Sequence, residues 1–456
     1  MRSVDDELLF PSEAGDRIYP GLDARQRAAR MERESFGVHT REFAQPASAH
    51  PEPSSEAREV VLAMLEQEFD PSQWQLPDDW DSFDSYERVL SRLNMQSSPG
   101  YPYSSQAPTN GEFLGWDGVE CQNRQRVMIL WRDVKRLFEE EQVEVILTTF
   151  VKEEPHTLKK VGARRWRLIQ AAPLHVQVWW QLLFCYGNDA MVRESINIPA
   201  QQGFTIVGGA WKSYLDSWRN KGLRCGLDFS AFDWTVRKWM LDDALRLRLA
   251  LGRGRRLGDW HRQARKAYHA MYVNPKVLFS DGSLWEQTVP GIQKSGVVNT
   301  IADNSVIGRM NYLHAWLVYL AEAEQVDPEL YQRPASVHCG DDMLVASKAK
   351  LLKPYLSRFG LVVKYLTQGL EFCGHKFRSA GMIPMYWTKH VKMMMHATDV
   401  TSSLDAMLRM YAHCTKKWKE WAALADELGV KRFSVLLYRH WKDRPADWSP
   451  AAQTLW

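Results

Sequence analysis

Ser336-Val337-His338-Cys339-Gly340-Asp341-Asp342-Met343-Leu344-Val345-Ala346 sets a glycine and two aspartates between two short apolar runs, the pattern of a tight turn joining paired strands. An Asp-Asp pair alone says little, since Asp5-Asp6, Asp78-Asp79 and Asp242-Asp243 also occur. Only at 341–342 does the pair stand at a turn between apolar strands, where adjacent carboxylates repel one another unless a cation neutralises them. Upstream, Leu223-Arg224-Cys225-Gly226-Leu227 alternates like a half-buried strand and runs into Asp228-Phe229-Ser230-Ala231-Phe232-Asp233 before a helical pattern starts at Trp234. Taken alone, Ser230 and Asp233 read as helix N-caps. If the two strands are neighbours, Asp228 and Asp341 meet at one sheet edge and form an all-oxygen site suited to Mg²⁺ or Mn²⁺. Two such ions about 4 Å apart are a common device for nucleotidyl transfer.

Between these acidic turns lies Gly291-Ile292-Gln293-Lys294-Ser295-Gly296-Val297-Val298-Asn299-Thr300-Ile301-Ala302-Asp303-Asn304-Ser305. Its Ser-Gly turn feeds a long helix, and Thr300 and Asn304 are spaced i,i+4 on one face. An amide there offers a donor and an acceptor to a ribose hydroxyl, although the stretch by itself also reads as an ordinary capped helix. Residues 150–169 place six cations within sixteen residues (Lys152, Lys159, Lys160, Arg164, Arg165, Arg167), bounded by apolar Phe150-Val151 and Leu168-Ile169. Such a loop held between strands could grip a triphosphate through charge-assisted hydrogen bonds, while the bland reading is a solvated charged face. Arg253, Arg255, Arg256, Arg262, Arg265 and Lys266 form a second basic run.

The 456 residues carry 58 Lys plus Arg against 55 Asp plus Glu, a formal charge of +3. With 45% hydrophobic and 25% charged residues the composition excludes a wholly disordered, collagenous or coiled-coil chain, and the length allows about three domains. Twenty Trp, 16 Tyr and 17 Phe are a heavy aromatic load, expected mostly as core with some stacking platforms for bases. Neither a signal peptide nor a run of about 18 apolar residues is evident, so the chain is expected to be neither secreted nor integral to a membrane. Six scattered cysteines read as reduced thiols; Cys373-Gly374-His375 with His413-Cys414 lacks a diagnostic zinc spacing. Polar residues 1–39 and the Pro/Ser-rich residues 45–57 predict an extended N-terminal arm, with regular structure from Arg58 onward. Strands are expected to cease after about residue 381, leaving a helical tail.

In this order, the segments resemble the RNA-dependent RNA polymerases of positive-strand RNA viruses. Asp228-x4-Asp233 resembles family motif A, Ser295-Gly296-x3-Thr300-x3-Asn304 motif B, and Gly340-Asp341-Asp342 motif C. Residues 150–169 resemble motif F, Ser97-Ser98-Pro99-Gly100-Tyr101-Pro102-Tyr103 motif G, and Phe372-Cys373-Gly374-His375-Lys376-Phe377 motif E, the primer grip. The stretches VKEEPH, SSPGYPY and FCGHKF look most like the sobemovirus and luteovirus type, sobemo-like viruses included. The sequence departs from many relatives in having Lys294 before the Ser-Gly, Cys339 before the Gly-Asp-Asp and Gly374 in the primer-grip segment.

The resemblance implies an α+β right hand with an antiparallel palm sheet and closed fingertips. Its expected parts are an arm at 1–60, fingers at 61–188 with the basic fingertip loop 150–169, palm at 189–245 and 288–380, a fingers insertion at 246–287, and a helical thumb at 381–456. It implies that Asp228, Asp341 and Asp342 hold two Mg²⁺, with Mn²⁺ able to substitute. Asp233, Ser295, Thr300 and Asn304 would select the ribose, Lys152, Lys160 and Arg167 would bind the triphosphate, and Ser97, Ser98 and Gly100 would guide the template. Lys364 is the nearest match to the family's proton donor. Expected partners are RNA template and product, NTPs, other viral replication proteins and host membranes reached through partners, in replication complexes of the host cytoplasm. Two alternatives stay open on sequence: a reverse transcriptase, and a non-catalytic RNA-binding scaffold.

Overall fold

The structure is a computed structural model that describes residues 8–44 and 49–444. At its centre the strands Ser336–Cys339 and Asp342–Val345 form an antiparallel hairpin, and Gly340, at φ +63°, supplies the left-handed turn residue that an L side chain adopts only with strain. Asp342–Val345 pairs with Cys225–Phe229, which pairs in turn with Val363–Leu366, giving an antiparallel sheet in the order 336–339, 342–345, 225–229, 363–366. Both faces are covered. Cys225, Leu227, Phe229, Met343 and Val345 enter the largest core, with the helices Lys238–Leu251 and Thr300–Glu322. Val337 and Leu344 face a second core, with Trp211, Tyr214 and Trp218 of the helix Ala210–Asn220. Double coverage explains why the two strands of the hairpin read as apolar runs rather than strict alternation.

A second sheet runs in the order Leu168–Ala171, Ile146–Val151, Lys276–Leu278, Leu284–Glu286, so residues 246–287 return to the same layer as the basic loop. A three-stranded antiparallel sheet, Leu370–Phe372, His375–Arg378 and Gly381–Pro384, lies beside the first. Four helices, Trp387–Met395, Val400–Met410, Thr415–Glu427 and Val435–Asp443, then build a separate core around Leu404, Tyr411, Trp418, Trp421 and Tyr438. The tryptophans are chiefly core: Trp80, Trp166, Trp179, Trp180, Trp218 and Trp260 are fully buried. No described helix is long and apolar enough to cross a membrane.

Two expectations are corrected. The N-terminal segment is helical over Pro11–Ile18 and Ala24–Glu42, and Ser55–Phe69 begins three residues before Arg58; residues 1–7 and 45–48 of the expected arm, and 445–456 of the expected thumb, lie outside the described residues. Helix 24–42 starts in a capping box between Asp23 and Gln26 and buries Glu32, whose carboxylate accepts from Ser280 N (2.8 Å) and Oγ (2.6 Å). Its polar composition hid a buried face whose partners are remote in sequence. Strands also continue past 381, because Gly381–Pro384 completes the three-stranded sheet.

Candidate active site

Asp228 is the fourth residue of its strand, Asp341 sits in the hairpin turn, and Asp342 opens the next strand. The register Met343↔Leu227 sets Asp342 beside Asp228, so strand pairing alone gathers three carboxylates at one sheet edge. Desolvation by the surrounding protein pushes the carboxyl of the surface-exposed Asp341 above the usual carboxylate range, against the opposing effect of its own backbone N–H. Burial, then the charges of Asp341 and Asp228, push Asp342 up to about 7. Lys364 Nζ lies 2.8 Å from Asp228 Oδ2, and its charge also favours the Asp341 carboxylate. Among the described residues no three His, Cys, Asp or Glu side chains converge into a ready-made cage. The donor set nevertheless fits a hard divalent cation: all oxygen, crowded with like charge, and short of cationic partners within the protein.

Asp233 sits in the short helix Phe232–Thr235, behind this edge. Burial raises its carboxyl to about 6, against a 2.8 Å hydrogen bond from Asn304 Nδ2. Asn304 is 4% exposed and its Oδ1, also buried, has no partner, leaving an acceptor beside Asp233. The start of the Asn304 helix is fixed by a buried network: Arg248 pairs with Asp303 at 2.8 Å, Tyr268 Oη donates to Asp303 Oδ2 at 2.7 Å, and Asn299 Nδ2 donates to Tyr268 Oη at 3.3 Å. Ser295 Oγ donates to Leu168 O (3.1 Å), at the foot of the basic loop. Thr300, one helical turn before Asn304, turns its hydroxyl back to Lys294 O (2.6 Å) and Val297 O (2.8 Å).

The basic loop is organised by an anion. Glu154 is buried and meets Arg167 at 3.0 Å, Lys389 of the C-terminal helices at 3.0 Å and Lys152 at 3.5 Å. Burial alone would raise the Glu154 carboxyl, but Arg167, Lys389 and Lys152 hold it at about 2. His156 closes the loop's base, its Nε2 accepting from Arg167 N (3.1 Å) while Nδ1 faces Glu154 O (2.7 Å); with burial holding it down to about 4, this is the neutral ring protonated at Nδ1. Lys160 is exposed at its surface, yet desolvation of its ammonium, then the charges of Lys364 and Arg167, hold it below the usual lysine range. Arg167 in turn bears electrostatically on both Asp341 and Asp233, so the basic loop faces the carboxylates.

Ser97, Ser98 and Gly100 form a turn packed on the far end of the same strand layer. Asn110 N donates to Ser97 O (2.8 Å), Gly100 N to Ser98 Oγ (3.2 Å), and Leu174 N to Pro99 O (2.8 Å). Gly100, at φ +64°, approaches so closely that a Cβ would lie 2.9 Å from Ala172 O. Gly296 packs likewise, its Cβ position 2.5 Å from Gln170 O. Two segments far apart in sequence thus meet along the strand Leu168–Ala171 and the residue that follows it.

Sequence reasoning passed over Glu154, Lys389 and Ser305. Glu154 stood inside the quoted VKEEPH, where an acid among cations was a usable signal. Ser305 Oγ accepts from Gly340 N at 2.9 Å and so ties the Asn304 helix to the acidic turn, but nothing local announced it. Lys389 meets a partner 235 residues away.

Residues 40–367 match the family model described as viral RNA-dependent RNA polymerase. The chain is 30% identical over 319 residues to the RNA-directed RNA polymerase of Mushroom bacilliform virus, covering 65% of this chain and 73% of that protein. It is 33% identical over 247 residues to the replicase polyprotein P2AB of Southern bean mosaic virus, covering 50% of this chain and 25% of that polyprotein. The chain therefore spans a quarter of that relative's length, and 37% of the protein P2-P3 of Poinsettia latent virus, which it also matches. A sicinivirus 3Dpol RNA-dependent RNA polymerase superposes with a TM-score of 0.68 at 15% identity, covering 88% of each chain, a likeness that shows the right-hand polymerase fold. The reverse-transcriptase alternative is not favoured by these matches, and the chain belongs to the viral RNA-dependent RNA polymerase family, among relatives of the sobemovirus and luteovirus type.

Proposed function

We propose that this chain copies the RNA genome of a positive-strand RNA virus, joining NTPs by attack of an RNA 3′-hydroxyl on an α-phosphate with release of pyrophosphate. The observation that carries the reading is the meeting, at one sheet edge, of Asp228, Asp341 and Asp342 with the Asp233–Asn304 pair behind them. Asp228, Asp341 and Asp342 would hold two divalent cations, Mg²⁺ or Mn²⁺, which when bound supply activation of the attacking hydroxyl and neutralisation of the leaving charge. The unpartnered Asn304 Oδ1 suits a ribose 2′-hydroxyl donor, and the Asp233 carboxylate orients the amide that presents it. Ser295 belongs to the same wall, whereas Thr300 acts by shaping the Ser-Gly loop. Lys152, Lys160 and Arg167 would exchange intramolecular charge contacts for those of a triphosphate. Lys364, an ammonium beside Asp228, would give its proton to pyrophosphate. Ser97, Ser98 and Gly100 would carry the template strand.

In this reading the antiparallel 336–339, 342–345, 225–229, 363–366 sheet is the palm, within 189–245 and 288–380. Fingers occupy 61–188 and 246–287, and the thumb occupies 381–456. The N-terminal residues act as a strap that closes the fingertips. Leu8–Leu9 pairs with His156–Thr157, Glu13 meets Lys392 at 2.9 Å, and Glu154 meets Lys389 at 3.0 Å, so three contacts join basic loop, strap and thumb. RNA template and product and NTPs are the partners; other viral replication proteins and host membranes, reached through such proteins, place the enzyme in cytoplasmic replication complexes. A non-catalytic scaffold would gain nothing from three like charges crowded at one sheet edge, where they repel one another.

The test is incorporation of labelled NTPs on a short self-priming RNA hairpin with Mg²⁺ or Mn²⁺, beside Asp341→Ala and a dNTP control. Template-dependent, NTP-selective extension that the substitution abolishes is the expected result. Full activity in Asp341→Ala overturns the metal assignment, and extension with dNTPs alone overturns the choice of product.

A further inference from the structure

Lys294 is 0% exposed, in the loop that leads into the Asn304 helix. Its ammonium donates to Gln287 Oε1 and to Ile292 O (2.8 Å). Gln287, 4% exposed, spends its own amide protons on Val289 O (2.8 Å), Gly291 O (3.1 Å) and Tyr272 O (3.2 Å), so it is a rigid acceptor for the lysine. The loop between them is strained: Gly291 stands at φ +108°, and Ile292, a β-branched residue, at φ +58°, a region such side chains rarely enter. The ammonium caps the carbonyl of that strained residue. From there the loop runs alongside the segment that carries Asp233, with Ile292 N donating to Val236 O and Gln293 N to Asp233 O, both at 2.8 Å. Beyond it, Lys294 O accepts from Thr300 Oγ1 at 2.6 Å, and Ser295 and Gly296 rest on the strand Leu168–Ala171.

A buried cation costs stability unless it is paired, and an apolar side chain would fill this space more cheaply. Among the described residues, the carboxylate whose charge favours the ammonium is that of Asp233. The lysine thus braces the loop on one side and supports the Asp233 anion, the group that orients Asn304, on the other. We propose that Lys294 is a positioning residue for ribose selection, holding the Ser295 loop and Asp233 in the register that recognises a 2′-hydroxyl. This inference rests on the polymerase reading above. It adds a role for a position outside the ribose-contacting set.

The experiment compares wild type, Lys294→Met, Gln287→Leu and the double variant for single-nucleotide incorporation of an NTP and its 2′-deoxy analogue on the same RNA hairpin, with kcat and KM for each. Met keeps the length of the chain without its charge. Each single substitution is expected to lower the NTP-over-dNTP ratio of kcat/KM roughly tenfold, and the double variant to lower it no further than the worse single one, since both break one brace. Wild-type NTP incorporation checks the polymerase reading independently. A ratio within about twofold of wild type in a folded Lys294→Met or Gln287→Leu protein overturns the proposal, as does additivity in the double variant, whatever happens to thermal stability. If Lys294→Met does not fold, Gln287→Leu, which leaves the lysine in place, decides alone.

Discussion

The acidic edge and the basic loop face each other, yet they balance charge in opposite ways. At the edge Asp341 and Asp342 crowd beside Asp228 with one ammonium, Lys364, among them, and the carboxyls of Asp341 and Asp342 are pushed up by desolvation and by neighbouring like charge. In the loop a single buried anion, Glu154, holds Arg167, Lys152 and Lys389, and its carboxyl is pulled far down. In the proposed reading, cations supplied from outside complete the first region. The second is satisfied internally, so in the proposed reading a triphosphate would compete with Glu154 for Arg167 and Lys152. Binding of metal should therefore stabilise the protein, whereas binding of nucleotide should rearrange it.

The largest expected effect breaks the acidic side. Asp341→Ala should lower incorporation by about a thousandfold or more, equivalent to some 4 kcal/mol of transition-state stabilisation, while RNA binding in a filter assay stays within about threefold. The same substitution removes one of the repelling charges, so the metal-free protein should melt no lower than wild type. Millimolar Mg²⁺ or Mn²⁺ should raise the wild-type melting temperature by about 2 °C or more and leave Asp341→Ala nearly unmoved. Equal metal-induced shifts in both proteins would place the cation elsewhere.

Next comes Glu154→Gln, which keeps the shape and removes the anion. Because Arg167 is more than half exposed, its share is screened, and a loss of about 1–2 kcal/mol in stability is expected. The KM for NTP should rise several-fold with a smaller change in kcat, as the cations lose their common anchor. The pH dependence has a definite sign. The folded-state carboxyl titrates at about 2, below its ordinary 4.5, so the stabilisation is complete above pH 4.5 and drains away as pH falls towards 2. Acid unfolding followed by tryptophan fluorescence should show this difference between wild type and Glu154→Gln above pH 4.5 and its disappearance at the acid end. A constant gap across that range would mean Glu154 acts by packing alone.

What could be read in the sequence follows the range of the interactions. The hairpin at 336–346 was legible because its glycine, its apolar runs and its paired aspartates are all local, and Asp228 was legible because its strand exits into a recognisable turn. The strands around residues 150–169 were signalled by their apolar flanks. The helix at 24–42 was not legible: Phe36 packs against Trp234, Phe279 and Trp285, which no local window contains. The strand Gly381–Pro384 is short and gains its meaning from pairing with His375–Arg378. Thr300 shows a subtler limit. Its spacing from Asn304 is helical, but a threonine hydroxyl can bond the carbonyl three residues back, and here it does, to Val297.

Ser305→Ala sharpens the comparison from the helix side. Losing the hydroxyl leaves the Gly340 N–H without its 2.9 Å acceptor beneath the acidic turn, an expected cost of about 1 kcal/mol. If that bond fixes the turn, kcat should fall about fivefold with KM for NTP unchanged, since the basic loop is untouched. A rise in KM alone would mean that the turn holds itself and that the helix serves nucleotide binding instead.

Gly340→Ala should have the smallest effect. At φ +63° an added methyl meets no atom within 4 Å, so the penalty is the left-handed conformation itself, about 1 kcal/mol. That cost falls on stability, and activity should stay within about threefold of wild type if the carboxylates are positioned by strand pairing, as the register Cys339↔Asp342 and Met343↔Leu227 implies. Gly296 gives the contrast within the opposing wall: a Cβ there would lie 2.5 Å from Gln170 O, and the strand or the loop would have to move. Should Gly340→Ala instead cost activity as heavily as Gly296→Ala, the acidic turn would be a mobile element that needs its glycine during the reaction, and the rigid edge described by the strand register would be only one of its states.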